Sequence, residues 1–471
     1  MPTTQSILIL GLCALLGACN IEIRVPEGGT VRNLSGSFSC GPEETCLIPV
    51  TDFIDEAFVA VPLEGYLFST WKQRKRSLCG GRSARCYLST VGFEDNAAVQ
   101  ALLASDQSFY LIPQFEPGEP MASFSTLGAL PGGGRLSLSG GISPDGGTVV
   151  GRSQYGFGPD QFEAFRHTAL EGMIGLGDLP GPNVISEANG SAVQGGNITG
   201  CGTSDEAVEG LTDVQEAFRW TMAAGMQGLG DLPGGAFRSC GLGISADGTT
   251  VVGIGRSERG DEAFRWRAGL GMQALADLPG GGFESAAFAV SAIGQVTVGY
   301  STSGRGIEAV RWLLDKPVEK LGDLPGGRFF SVATAVSLNG DVIAGRGEVD
   351  YDYNTRAARK EAFIWTESGG IEGLGSLLPR QRNSEPNPVG VSSDGQVVIG
   401  QENTRPWVWT RQHGMRELQD LLIAQGATEL VDWRLTSVTG VSSDGRTLTG
   451  DGNGPFGEQV WVATFEPRFP Q

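Results

Sequence analysis

The chain has 471 residues, room for two or three ordinary domains or for a small domain beside one large closed β unit. Gly supplies 73 residues and charged types only 18%, yet the glycines recur at regular intervals between apolar, aromatic-containing stretches, which reads as turns between strands and not as low complexity. A net charge of −19 leaves the chain as a whole without the basic footprint that a phosphate backbone requires, which excludes nucleic acid as a partner.

In chain order, residues 1–18 read as a signal peptide, because the apolar run beginning at Ile7 is too short to span a bilayer. Its end, Leu16-Gly17-Ala18-Cys19, resembles the lipobox of bacterial lipoproteins. The resemblance implies lipidation of Cys19 and attachment to a membrane through the acyl chains. A plain secretory signal cut nearby is the competing reading, since no Lys or Arg precedes the apolar run. Asn20, which is not Asp, implies by the same resemblance the outer membrane of a Gram-negative bacterium. With Cys13 in the signal and Cys19 as the lipid site, Cys40, Cys46, Cys79, Cys86, Cys201 and Cys240 remain, an even number in an oxidising compartment.

Residues 19–113 alternate β-branched and aromatic types, as in Tyr66-Leu-Phe-Ser-Thr-Trp71, and are expected to form a small β-domain. The run from Gly29-Thr-Val-Arg through Cys40, Cys46-Leu-Ile-Pro-Val, Trp71 and Cys79-Gly-Gly to Cys86 resembles divergent internalin-type B repeats of bacterial surface proteins. Pairing of Cys40 with Cys46 and of Cys79 with Cys86 is expected, out of three connectivities that four cysteines allow. Residues 114–122, beginning Gln114-Phe-Glu-Pro-Gly-Glu-Pro, read as a linker.

From Ser123 one phrase recurs, Leu-Gly-Asp-Leu-Pro-Gly-Gly, with its first Leu at Leu127, Leu176, Leu229, Leu275, Leu321, Leu374 and, degenerately, Leu418. Each copy leads through an apolar stretch to a turn such as Asp145-Gly146, Asp247-Gly248 or Asp444-Gly445, where Gly supplies the positive φ of a tight hairpin. A Val-Val-Gly strand follows, then Glu-Ala-Phe-Arg-Trp or a relative, ending at Trp220, Trp266, Trp312, Trp365, Trp409 and Trp461, with His167 in the first copy. Four short strands in every 44 to 53 residues predict a propeller blade, and seven copies predict seven blades over residues 123–465, with 466–471 as a tail. The region opens on a fourth strand and ends on a third, so the first strand should complete the last blade. The fold class is therefore all-β: a seven-bladed β-propeller preceded by a small disulfide-stapled β-domain.

Arg166, Arg219, Arg265 and Arg311 are each followed twelve residues later by Asp178, Asp231, Asp277 and Asp323, and in the fifth copy both charges vanish together at Ile364 and Ser376. Pairing of each Arg with its Asp is the expectation, because an unpaired buried charge is costly. These units resemble the HAF repeats of bacterial extracellular proteins over about 340 residues. The family's His-Ala-Phe reads Glu-Ala-Phe here, at Glu163, Glu216, Glu262 and Glu361, which puts in doubt any role attached to that His. The resemblance implies an extracellular repeat architecture and no settled activity. The stretch Leu418-Gln-Asp-Leu-Leu-Ile-Ala is expected to form a short helix before the last blade.

With His167 and His413 as its two histidines, the chain has little material for His-based catalysis or metal binding, and His167 occupies a Trp position. Asp350, Asp352, Asn354 and Glu361 imitate the spacing of a calcium loop, but Thr355 stands where the turn Gly belongs, and ordinary solvated charges explain the segment as well. Calcium is the one cofactor the sequence suggests, and only through that imitation. Arg259-Gly260-Asp261 spells an adhesion tripeptide of the kind chance produces. Lys72, Arg74, Lys75, Arg76, Arg82 and Arg85 form the one dense basic cluster in an acidic chain, readable as a contact for anionic glycan or lipid or as a solvated loop. Cys201 and Cys240 are expected on one face of neighbouring blades, near enough for a third disulfide. That face should also carry the long loops 154–161, 203–215 and 348–360 and the aromatics Phe237, Phe283 and Phe329, which either form a binding face or fill the gaps between blades.

The function expected is a non-enzymatic binding or interaction module, a lipid-anchored monomer that meets a protein or glycan ligand through the long-loop face. An extracellular polysaccharide hydrolase or lyase using loop carboxylates is the alternative, and a structural spacer is the third. An enzyme would need acids converging in a pocket with at least one shifted pKa.

Overall fold

A computed structural model describes residues 19–156, 161–181, 185–205 and 215–467. The chain divides into two compact units, Met1–Pro120 and Met121–Gln471. In the first, Cys19–Arg24 lies between the antiparallel strand Thr45–Val50 and the parallel strand Ser108–Leu111. Its alternation puts Ile21 and Ile23 in the core and Asn20 and Glu22 nearer the surface. A four-stranded sheet orders Ser39–Cys40, Gly29–Asn33, Asp55–Pro62 and Arg85–Ser89, and Tyr66–Trp71 pairs with Pro113–Pro117. Cys40–Cys46 and Cys79–Cys86 are the disulfides. A short helix, Ala97–Leu103, is capped by Asn96, whose side chain accepts from the Ala98 and Val99 N–H groups. Residues 114–117, read as the start of a linker, belong instead to this unit: the Pro-rich composition fits an edge strand as well as a tether.

The second unit is the seven-bladed propeller. Six sheets take four consecutive strands each, and the seventh orders Ser123–Gly128, Gly457–Thr464, Thr447–Gly454 and the inner segments Arg434–Leu435 and Gly440–Val441. The ring shuts as the repeat order predicts, with Thr126 opposite Trp461 and Ser123 opposite Thr464. On the other side of the ring the Asp-Gly turns also meet, the Ser443 N–H donating to the Pro144 carbonyl. Gly146 and Gly445 take the expected positive φ, 75° and 77°. The predicted helix forms at Leu418–Ala424 and is buried throughout.

Register explains the recurring glycine of each second strand. Gly151, Gly253, Gly345, Gly400 and Gly450 lie opposite Phe165, Phe264, Phe363, Trp407 and Trp461. A Cβ at Gly400 would sit 2.3 Å from the Trp407 ring and 2.4 Å from the Asn387 carbonyl oxygen, so both strand neighbours require its absence. The inner strands are bulged beside this contact, between Ser139 and Gly141 in the first blade and between Pro388 and Gly390 in the sixth. Trp461 thus occupies the Phe column, and Ala463 fills the Trp column of the last blade. The Trp position expected at Trp461 in the last copy therefore lies two residues later, at Ala463.

The Arg–Asp pairs do not form. Each Arg meets the Trp of the next blade: Arg166 lies over Trp220 at 5.7 Å, Arg219 over Trp266 at 6.0 Å and Arg311 over Trp365 at 4.6 Å, while Arg265 donates to the Trp312 carbonyl. In the fifth blade Ile364 packs in one cluster with Trp409, so an apolar contact replaces the stacked cation. The Asp carboxylates turn onto the loop that follows them: Asp231 accepts the Arg238 N–H and Asp323 the Phe330 N–H.

Candidate functional site

The loops joining second to third strands and those leading into the next blade share one face of the ring. Residues 157–160 and 206–214 of the predicted long loops lie outside the described residues. In blades three to five this face repeats a three-part unit. A wholly buried Glu holds an Arg, and the Arg covers an aromatic ring. Glu262 pairs with Arg259, whose guanidinium lies 4.5 Å from the Phe283 centroid. Glu308 pairs with Arg305, 4.0 Å over Phe329. In the fifth blade Glu348 pairs with Arg328, 3.9 Å over Tyr351, and Tyr353 stacks edge-on against Tyr351.

The local sequence makes the first two units alike. Ser-x-Arg-Gly-x-Glu-Ala recurs at 257–263 and 303–309. Ser257 and Ser303 hydroxyls donate to the buried Glu and accept the Arg N–H, closing the loop on itself. Gly260 and Gly306, at φ 146° and 142°, let the next blade approach: a Cβ there would lie 2.6 Å from the Phe283 carbonyl oxygen and 2.5 Å from that of Phe329. Burial alone would push the Glu308 carboxyl up, but its hydrogen bonds to Ser303 and Lys320 and the nearby Arg305 hold it below the usual range.

Of the three aromatics predicted for a binding face, Phe283 is 48% exposed, whereas Phe237 and Phe329 are half-buried. Tyr353 is 79% exposed and extends the platform. A cleft of about 490 Å³ runs beside Phe283, lined also by Arg259, Asp277, Leu278 and Pro279. One Asp277 oxygen accepts from Ser301, while its buried Oδ2 has no hydrogen-bond partner. Asp323 has its pKa raised to about 6, chiefly by burial, with Glu348 and Glu308 adding to the rise.

The remaining candidates separate. Asp350 pairs with Arg382 and Arg359, and the Asp352 carboxylate accepts the Asn354 N–H in the turn of a hairpin. Glu361 pairs in register with Gly347, four positions along the strand from Ala357, the residue opposite Asp352. The hairpin therefore spreads Asp350, Asp352, Asn354 and Glu361 along a ribbon and gives them no common centre, because a calcium loop folds around its ion and a hairpin does not. In the adhesion-like tripeptide, Arg259 is held by Glu262, and Asp261 pairs with Arg256 and Arg238. Cys201 and Cys240 are disulfide-bonded across blades two and three. Cys19 is buried against the Val50 carbonyl and burial pushes its thiol pKa up, so a lipid there requires this first strand residue to turn outward. His167 is half-buried in its Trp position, and burial lowers its pKa.

Sequence reasoning missed the Glu–Arg half of the platform, although the seven-residue repeat carried it. It also missed a cavity of about 270 Å³ at the Asp-Gly end of the ring, lined by all seven inner strands, among them Ile142, Ile244, Val290, Val391 and Val441.

No protein-family model matches the chain, and no curated protein is recognisably similar to it. Among solved structures, TolB from Acinetobacter baumannii is similar at 12% identity, covering 77% of this chain and 78% of that one, with a TM-score of 0.37. A putative TolB from Agrobacterium tumefaciens shares 16% identity over 54% of this chain and 89% of its own, TM-score 0.35. Oligogalacturonate lyase from Vibrio parahaemolyticus shares 8% identity over 74% and 98%, TM-score 0.42. Likenesses this distant say nothing of activity.

Proposed function

We propose that the chain is an exported, lipid-anchored binding module, attached through Cys19, that takes a glycan ligand on the long-loop face of blades three to five. The observation that carries this reading is the cleft beside Phe283, where an exposed ring, the Arg259 guanidinium and the Asp277 side chain line one surface. A sugar offers an apolar C–H face to the ring, hydroxyl donors to Asp277 and hydroxyl acceptors to Arg259. A rigid scaffold holds the three groups before the ligand arrives, which reduces the ordering cost of binding. The repeat unit extends the same surface along Phe329 and Tyr353.

A hydrolase or lyase is the second reading, favoured by the raised Asp323 beside Glu308 and Glu348. Against it, Asp323 is occupied by the Leu324 and Phe330 N–H groups, and both glutamates are tied to cations. Carboxylates so committed are held for structure.

The test is a glycan array and pull-down with the mature chain carrying Cys19→Ser. Phe283→Ala and Asp277→Asn should each weaken the captured glycan about tenfold, as for a desolvated contact of ~1.4 kcal/mol. Binding untouched by both variants removes the platform. A protein captured in place of a glycan changes the ligand class, and turnover of a polysaccharide lost in Asp323→Asn replaces binding with catalysis.

A further inference from the structure

The basic cluster of the first unit is not absorbed by that function. Residues 65–93 contain Lys72, Arg74, Lys75, Arg76, Arg82 and Arg85 and no Asp or Glu, within a chain of net charge −19. Arg85 is buried; the other five are exposed, and among the described residues none has a carboxylate at ion-pair distance. The segment is nevertheless built. The Ser77 hydroxyl accepts the Arg74 N–H and donates to the Lys72 carbonyl, the Lys72 N–H donates to the Ile112 carbonyl, and Cys79–Cys86 closes the far side. Arg74 stacks 3.7 Å over Tyr110, and buried Trp71 donates to the Ser83 carbonyl. Five unneutralised cations are therefore held in place by their backbone, which is the arrangement expected where their counter-charge comes from outside.

Placement names the source. Ser77 pairs in parallel with Tyr110, and Tyr110 in parallel with Glu22, so the three form one row across the sheet. The turn at Arg74–Arg76 precedes Ser77 and lies toward the end of the sheet where the first strand begins at Cys19, three residues or about 10 Å from that row. The residue read as the lipid site and the acid-free turn share one end of one sheet.

We infer that this turn seats the first unit on a phospholipid surface bearing anionic headgroups, as a second attachment beside the lipid. The acidic remainder of the chain would be repelled by such a surface, so the turn also fixes which end faces it. The shared end of the sheet matters only if Cys19 is the anchor proposed above; the unneutralised charge of the turn does not depend on it.

The experiment uses the mature chain with Cys19→Ser, hence without acyl chains, sedimented with vesicles of phosphatidylcholine alone or mixed with phosphatidylglycerol. Binding is expected only to the mixed vesicles, fading as salt screens the charges. Each neutralised cation should cost roughly fivefold, so Lys72→Gln with Lys75→Gln should cost roughly 25-fold. Lys316→Gln, an exposed cation of the propeller, should change nothing, and unchanged thermal unfolding shows that the variants are folded. Equal binding to both vesicle types, or a double variant that binds like the parent, overturns the inference, as does a preference for a sulfated glycan over the vesicles. The anchoring reading fails separately, if mass spectrometry of the cell-derived protein finds no lipid on Cys19.

Discussion

The seam between blades two and three and the seam between blades seven and one are closed from the same position by different chemistry. In four of the seven blades the residue after the second-strand glycine bonds to the inner strand of the next blade. In the second blade it is Cys201, bonded covalently to Cys240. In the seventh it is Asp451, which accepts the Ser139 N–H at 2.7 Å and the Ser437 hydroxyl at 2.7 Å. The first blade uses Arg152 with Glu187, and the fifth uses Arg346 with Asn387. The interior seams join blades contiguous in sequence, whereas the last must hold strands more than 300 residues apart. The fold thus specifies a place for a clasp and leaves its chemistry free.

Cutting the covalent clasp should have the largest effect. Cys201→Ala with Cys240→Ala opens a 39-residue loop, and the unfolded chain regains freedom equivalent to about 2–4 kcal/mol. Urea denaturation of the double variant should show that loss, and reductant should lower the parent toward the variant but leave the variant unchanged. A loss no greater than for an exposed surface pair would mean that the seam is held by packing alone.

The Asp451 clasp should instead respond to pH. Burial raises its pKa from 3.8 to about 6, against the pull of its two hydrogen bonds. Folding therefore takes up a proton between those values, and stability falls as pH rises from about 4 to about 6, by about 2 kcal/mol. Asp323, also raised to about 6, acts in the same direction. Asp451→Asn keeps an acceptor for Ser139 and offers N–H groups toward Ser437, so it should remove the Asp451 share, about half of the combined pH dependence of Asp451 and Asp323, and be at least as stable as the parent at pH 7. Thermal unfolding across this range measures both; a variant whose profile matches the parent's would assign the whole effect elsewhere.

Closure was legible because Ser123–Gly128 is a strand with no partner in its own repeat, and a ring is the arrangement that supplies one. The Asp-Gly turns were legible because positive φ selects its residues. Two turns lack both Asp and Asn, at Gln194-Gly195 and Ile293-Gly294, and are visible only through their backbone. The Arg partners were not legible: Trp220 lies 54 residues beyond Arg166 in the next blade, and a spacing of twelve within one copy was a nearer coincidence. The inner-strand bulges were hidden for a different reason. Their extra residues are Gly140, Asn189, Leu242, Phe288, Thr334 and Val389, which share no chemistry because only their backbone is constrained. At the platform, Phe283 could be named from its repeat position, while the Glu262–Arg259 support required seeing that a buried carboxylate would sit beneath an exposed cation.

The first seam sets the lower end of the scale. Arg152 and Glu187 meet at 2.9 Å with side chains 39% and 30% exposed, so water screens the pair and both long side chains lose freedom to hold it. A double-mutant cycle of Arg152→Ala and Glu187→Ala should return a coupling of about 0.2–1 kcal/mol, falling with added salt. Arg152 also lies 5.0 Å over Phe162, so Arg152→Ala alone should cost more than Glu187→Ala alone. A coupling as large as the loss from the Cys pair would mean that the ion pair is desolvated in solution, and the seams would then be equivalent in strength as well as in position.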